Sequence, residues 1–165
     1  MKPRDVARTG LMMALVFVTT RAFVIPIPQT RGFFNLGEAA IYLAAVLFGP
    51  AVGALAGGLG SALADLSLGY TQYAPFTLVI KGLEGALVGL VAGRTRGLAR
   101  RTAGMMCGGL VMVTGYFVTQ AYLFGLGVGA AATEVPYNVV QVAAGLAAGL
   151  VGATGVERTM PGLRR

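Results

Sequence analysis

Almost every stretch of about 20 residues in this chain is apolar enough to span a bilayer, and no other feature constrains the fold as much. Of its 165 residues, 56% are hydrophobic and 12% charged, about half the charge fraction of ordinary soluble domains. The mean hydropathy is +0.75. A chain this short would normally form one domain around one core, so residues 1–165 are read as a single membrane domain and not as a soluble enzyme.

The formal net charge of +7 could suggest nucleic acid, but the charges are placed for topology. Lys2, Arg4 and Arg8 precede the first apolar run, Arg94, Arg96, Arg100 and Arg101 form a mid-chain cluster, and Arg158, Arg164 and Arg165 close the chain. By the positive-inside rule all three segments face the cytoplasm, which requires an even number of spans on each side of the mid-chain arginines. Lys2 and Arg4 ahead of the apolar Gly10 to Val18 imitate a signal peptide. Arg21 interrupts where a small-residue cleavage site would stand, so the segment is read as a retained helix.

Proline and glycine punctuate the spans. The sequence predicts helices over about 6–25, 38–48, 51–68, 74–93, 103–124 and 137–156, an all-α bundle of six transmembrane helices with both termini cytoplasmic. Pro26 and Pro28 end the first helix, Gln29 to Gly37 is an external loop, Gly49-Pro50 a tight turn, and Gly125 to Glu134 a glycine- and alanine-rich external stretch. Gly53 and Gly57, then Gly85, Gly89 and Gly93, then Gly145 and Gly149 repeat every fourth residue, the pattern of closely packed membrane helices. No convincing internal duplication is visible.

Ionisable side chains at membrane depth are costly and usually turn inward to a partner. Thr77, Lys81 and Glu84 share one face of the fourth helix, which continues to Tyr73 at the external mouth. Glu134, Asn138 and Gln141 follow an i, i+4, i+7 line on the sixth helix beside Tyr137, Tyr116 and Gln120 are one turn apart on the fifth, and Asp65 lies late in the third. Tyrosines with a few charged and amide groups at one depth suit a pocket for a small, planar, polar heterocycle. The alternative is that Lys81 and Glu84 merely neutralise each other while Asn138 and Gln141 join helices.

Catalytic motifs are missing. The chain has no histidine, a single cysteine (Cys107) read as a helix residue, no phosphate-binding Gly-rich loop ending in Lys-Ser/Thr, and no Gly-x-Ser-x-Gly elbow. Neither metal nor cofactor is expected. Any ATP-driven work would belong to another subunit, unless Asp65 and Glu84 couple transport to protons in a stand-alone secondary transporter.

In order, Ile25-Pro26-Ile27-Pro28, Asn35-Leu36-Gly37-Glu38, Leu47-Phe48-Gly49-Pro50, Gly60 to Leu66, Gly69-Tyr70, Ala74 to Thr77, Lys81 to Gly85 and Pro136 to Gln141 run through nearly the whole chain. This set resembles the S components of energy-coupling factor (ECF) vitamin transporters, closest to the riboflavin and hydroxymethylpyrimidine branch. The resemblance implies a six-helix subunit of a prokaryotic cell membrane that captures a B-vitamin or precursor from outside. It would work with a transmembrane coupling subunit and two cytoplasmic ATPase subunits. It also implies a docking face on the first helix, where Gly10 and Ala14 stand for an Ala-x-x-x-Ala motif. Phe33, Phe34 and Asn35 would form a lid over Tyr73, Lys81, Glu84, Tyr116, Gln120, Asn138 and Gln141. Arg21 and Arg31 flank that lid, as interface anchors or as attractors of an acidic group such as a phosphate.

Overall fold

A computed structural model describes residues 3–93, 97–160 and 162; Lys2, Arg94, Arg96, Arg164 and Arg165 of the charge pattern lie outside them. Six principal helices dominate the described residues: α1 (Pro3–Ala22), α2 (Gly37–Phe48), α3 (Pro50–Leu68), α4 (Ala74–Ala92), α5 (Leu98–Val118) and, after a short α6 (Gly127–Ala132), α7 (Val135–Thr159). Pro50–Leu68, Ala74–Ala92, Leu98–Leu123 and Gly127–Thr159 are long and apolar enough to cross a membrane. The 20-residue α1 includes Arg4, Asp5, Arg8 and Arg21. The 12-residue α2 rises only about 18 Å, short of the roughly 30 Å hydrocarbon core.

Polarity is distributed inside out. Leu11, Leu63, Val79, Leu90, Leu110 and Val151 are exposed, whereas Glu38, Asp65, Lys81, Glu84, Gln120, Asn138 and Gln141 are buried. Water would not tolerate that arrangement over a whole surface; lipid requires it.

α2 is the central element: Ala40, Ile41, Tyr42, Ala44, Ala45 and Val46 are buried, joined in one core by Val16 of α1, Ala56 of α3, Val88 of α4, Met105 of α5 and Ala153 of α7. The turn from α2 into α3 needs Gly49, whose φ of 90° L side chains rarely adopt, and Pro50 then begins the helix with its preset φ. The glycine stripes lie at internal helix contacts. A β-carbon on Gly53 would sit 2.6 Å from the Gly85 carbonyl oxygen, one on Gly57 2.7 Å from that of Lys81, and one on Gly149 3.0 Å from Tyr42 Cβ. Gly93 is different: it follows the last residue of α4 at φ 57° and ends the helix.

Four local features differ from the sequence expectation. α1 stops at Ala22 rather than near Ile25, because Pro26 and Pro28 push the residues before them into extended conformations. The chain instead forms an antiparallel hairpin of β1 (Ile25–Ile27) and β2 (Gly32–Phe34), with Ile25 opposite Phe34 and Ile27 opposite Gly32. α5 starts at Leu98 rather than near Ala103, so Arg100 and Arg101 belong to its first turn and not to a loop. Beyond Val118 it widens into a π-helical turn (Thr119–Leu123), and Ala130 to Ala132 carry α6 through the expected external stretch.

The start of α1, the ends of α2, α4 and α7 and the start of α5 share one end of the bundle. There Arg8 lies over the Phe48 ring at 5.3 Å, Arg100 Nε donates to the Val91 carbonyl at 2.8 Å, and Arg101 Nη2 donates to both Glu157 carboxylate oxygens at 2.7 and 2.9 Å. The hairpin covers the opposite end.

Candidate functional site

Beneath the hairpin, α3, α4, α5 and α7 enclose a cavity of about 30 Å³ lined by Phe33, Asn35, Asp65, Tyr73, Thr77, Lys81, Tyr116, Glu134, Asn138 and Gln141, with Thr20, Gly32, Ser61 and Met112. That is room for roughly two water molecules. Each helix contributes for a reason written in its spacing. Thr77 and Lys81 are one turn apart on α4, Ser61 and Asp65 one turn apart on α3, and Glu134, Asn138 and Gln141 follow one line at the start of α7.

The floor is ionic. Lys81 Nζ donates to Glu84 Oε2 at 3.0 Å and to Glu38 Oε1 of α2. Gln141 Nε2 donates to the same Glu38 oxygen at 2.6 Å, and Gln141 Oε1 accepts from the Asn35 backbone N–H at 2.8 Å. The pair expected within α4 is therefore a cluster joining α2, α4 and α7, with both carboxylates fully buried. Lys81 also stands 5.6 Å from the centre of the Tyr116 ring, whose hydroxyl shares a 3.1 Å hydrogen bond with Thr77 Oγ1.

The roof is the hairpin, fixed at several points. Thr30 Oγ1 donates to Glu134 Oε2, and Tyr73 OH donates to the Thr30 carbonyl at 2.6 Å. Burial, reinforced by the Glu134 carboxylate, pushes the Tyr73 hydroxyl up to about 12, so it remains a donor. Phe33 lies on Tyr70 at 4.5 Å between ring centres, and Asn35 Oδ1 accepts from the Gly37 N–H at 2.8 Å where α2 begins.

Of the residues singled out from the sequence, Phe33, Asn35, Tyr73, Lys81, Tyr116, Asn138 and Gln141 meet at this cavity. Glu84 lies behind the wall, turned to Lys81. Gln120 is fully buried in the π-helical turn but does not line the cavity, and Phe34 packs edge-on against Phe23 at 6.1 Å. Gly10 and Ala14 are exposed on α1 and do not line the cavity. Arg21 does not line it either, and Arg31 borders a separate outer groove with Gln72, Phe124 and Leu126. Glu38 is the charged residue of the site that the helical spacing does not single out. Its signal was available: it is the one charged residue opening an otherwise apolar 12-residue helix.

The chain is similar to known proteins along most of its length. The family described as ECF-type riboflavin transporter, S component, matches residues 1–157. The uncharacterized protein in the gap 3′ region of Pyrococcus woesei is 48% identical over 134 residues, 81% of this chain and 88% of that protein. The thiamine precursor transporter HmpT of Lactococcus lactis subsp. cremoris is 37% identical over 151 residues, 91% of this chain and 86% of that protein. The chain is a multi-pass cell-membrane protein of vitamin-transport type, and it belongs to the S-component family of ECF-type riboflavin transporters.

Proposed function

We propose that this chain is the substrate-capturing subunit of an ECF-type importer, which binds a small B-vitamin or vitamin precursor in the cavity beneath the hairpin. The carrying observation is the convergence of Asn35, Tyr73, Lys81, Tyr116, Asn138 and Gln141, from a loop and three helices, on one buried space. Rings beside hydrogen-bonding groups of both kinds are what a planar heterocycle requires. HmpT, named for a thiamine precursor, is similar along nearly the whole chain and favours a compact ligand.

The cavity as it stands is smaller than such a ligand. Entry therefore requires the hairpin to lift, breaking the Thr30–Glu134 and Tyr73–Thr30 hydrogen bonds, and closure over the ligand excludes water. Arg8, Arg100, Arg101 and Arg158 gather at the opposite end, which supports a topology with both termini in the cytoplasm and the hairpin outside. The exposed small residues Gly10 and Ala14 offer α1 as a close-packing face for a transmembrane coupling subunit, with two cytoplasmic ATPase subunits supplying ATP hydrolysis.

Purified protein titrated with a panel of B-vitamins and their precursors should bind one of them at submicromolar Kd, and Asn138→Ala should weaken that binding about tenfold or more. Failure to bind any member of the panel would overturn the assignment.

A further inference from the structure

Glu38 of α2 and Glu84 of α4 are both fully buried and share a single cation, Lys81. With both carboxyls ionised the cluster would hold one negative charge in excess, at a depth where an uncompensated charge is costly. Among the described residues no second basic group faces the pair. Its other polar neighbours are Tyr42 of α2 and Gln141 of α7, with Asp65 of α3 acting on Lys81 and Tyr116 of α5 acting on both glutamates. Where α5 passes closest it presents bare backbone. A β-carbon on Gly108 would stand 3.3 Å from Glu84 Cγ, and one on Gly109 3.1 Å from the Tyr42 hydroxyl.

The oxygens left over point the same way. Lys81 and Gln141 both donate to Glu38 Oε1, and Lys81 also donates to Glu84 Oε2. Glu38 Oε2, Glu84 Oε1 and the Tyr42 hydroxyl, all buried, complete no hydrogen bond among the described residues. These three atoms belong to one cluster, since the Glu84 carboxyl interacts with both the Glu38 carboxyl and the Tyr42 hydroxyl. Two buried carboxyl groups in contact hold together when one proton lies between them, because like charges that close cannot both persist. We infer that the floor carries a proton of its own, held on Glu84 Oε1 and donated to Glu38 Oε2, and that Glu84 in this neutral form is a positioning residue for Lys81. Lys81, Glu38 and the Glu84 acid then sum to zero charge. Glu84 Oε2, the carbonyl oxygen of the acid, accepts from Lys81, and the Tyr42 hydroxyl donates to Glu84 Oε1. A single hydrogen thus satisfies all three leftover atoms. Lys81 commits two of its three N–H donors to the carboxyls and keeps the third for the cavity that it lines. Glu84 does not line that cavity and acts through Lys81. The proton belongs to the protein itself and is independent of which ligand the cavity takes.

The test is infrared spectroscopy of the full-length protein in a maltoside detergent, which has no carbonyl of its own, with the glutamate side-chain carboxyls labelled with carbon-13. At neutral pH the wild-type spectrum should contain an isotope-shifted carbonyl band of an undissociated acid. Glu84→Gln and Glu38→Gln should each remove a share of that band worth a whole carboxyl per chain, because the surviving partner ionises against Lys81. Glu134→Gln should leave that share in place. Glu84→Gln, whose amide donates to Glu38 and accepts from Lys81 as the acid does, should also keep the unfolding equilibrium constant in SDS within about tenfold of wild type. The wild-type spectrum tests the idea without any variant, since absence of an acid band overturns it. An undiminished band in either Glu84→Gln or Glu38→Gln would overturn it as well, as would a shift of about 100-fold or more in the unfolding constant of Glu84→Gln. A band that appears only when sodium is replaced by potassium would put a sodium ion in the place of the proton and equally overturn it.

Discussion

Replacing Lys81 with methionine keeps the length of the side chain and removes its charge, leaving Glu38 and Glu84 facing each other in a space from which both are fully buried. One unit-charge pair about 3 Å apart attracts by about 5.5 kcal/mol at an effective dielectric constant of about 20, and the cluster holds one such pair, Lys81 with the Glu38 and Glu84 carboxyls together. Desolvation of the buried ions offsets most of that attraction in the intact protein, but deletion of the cation recovers none of the carboxylate desolvation. The expected loss is therefore about 3–5 kcal/mol, the usual cost of breaking a buried pair from one side. The assay is unfolding in mixed micelles titrated with SDS and followed by far-ultraviolet circular dichroism, since the chain has no tryptophan to report on packing. Adding Glu38→Gln to Lys81→Met should return at least half of the loss, because one uncompensated charge is gone and an amide can still meet Gln141. A Lys81→Met protein within 1 kcal/mol of wild type, or a double variant no better than the single one, would refute the claim that this cluster holds α2, α4 and α7 together.

Three further outcomes follow from separate parts of the molecule. Gly53→Val should lower the unfolding free energy in SDS by about 1–3 kcal/mol, because its β-carbon would meet the Gly85 carbonyl at 2.6 Å and wedge α3 from α4. At Gly10 an added β-carbon meets nothing within 4 Å, so Gly10→Val should leave the unfolding free energy within about 0.5 kcal/mol of wild type, yet abolish co-purification with a coupling subunit; retained co-purification would remove α1 as the docking face. Thr30→Val loses the hydroxyl that reaches Glu134 and should speed ligand release about tenfold while raising hydrogen exchange in 25–34, whereas an unchanged release rate would show that the hairpin is not what retains the ligand.

Much of this architecture is legible in the sequence because the membrane simplifies it. Apolar length, prolines and arginines mark the helices, and the four-residue glycine spacing marks the faces along which they pack. The i, i+4, i+7 line of Glu134, Asn138 and Gln141 is likewise visible before folding, since helical period alone puts those side chains on one face. What escapes is set by tertiary contact. Nothing local pairs Glu38 with Lys81, 43 residues away, so the intrahelical Glu84 was the visible partner and the nearer interhelical one was not. The hairpin is equally hidden, with strands of only three residues, one of them containing a proline. The π-helical turn that carries Gln120 off the cavity wall is a one-residue change of hydrogen-bond register that side-chain spacing does not announce. Asp65 was recognised as an inward carboxylate, but its unmatched oxygen is apparent only once its neighbours are in place.

The most direct test of the account uses proteoliposomes containing this chain alone, supplied with the radiolabelled vitamin or precursor that it binds, with and without an imposed pH gradient. A capture subunit that depends on partners for transport should show saturable binding approaching a single ligand per chain, indifferent to the gradient, with no accumulation in the lumen. Accumulation that follows the gradient and collapses with a protonophore would contradict the account and identify a self-sufficient carrier working through Asp65 and Glu84.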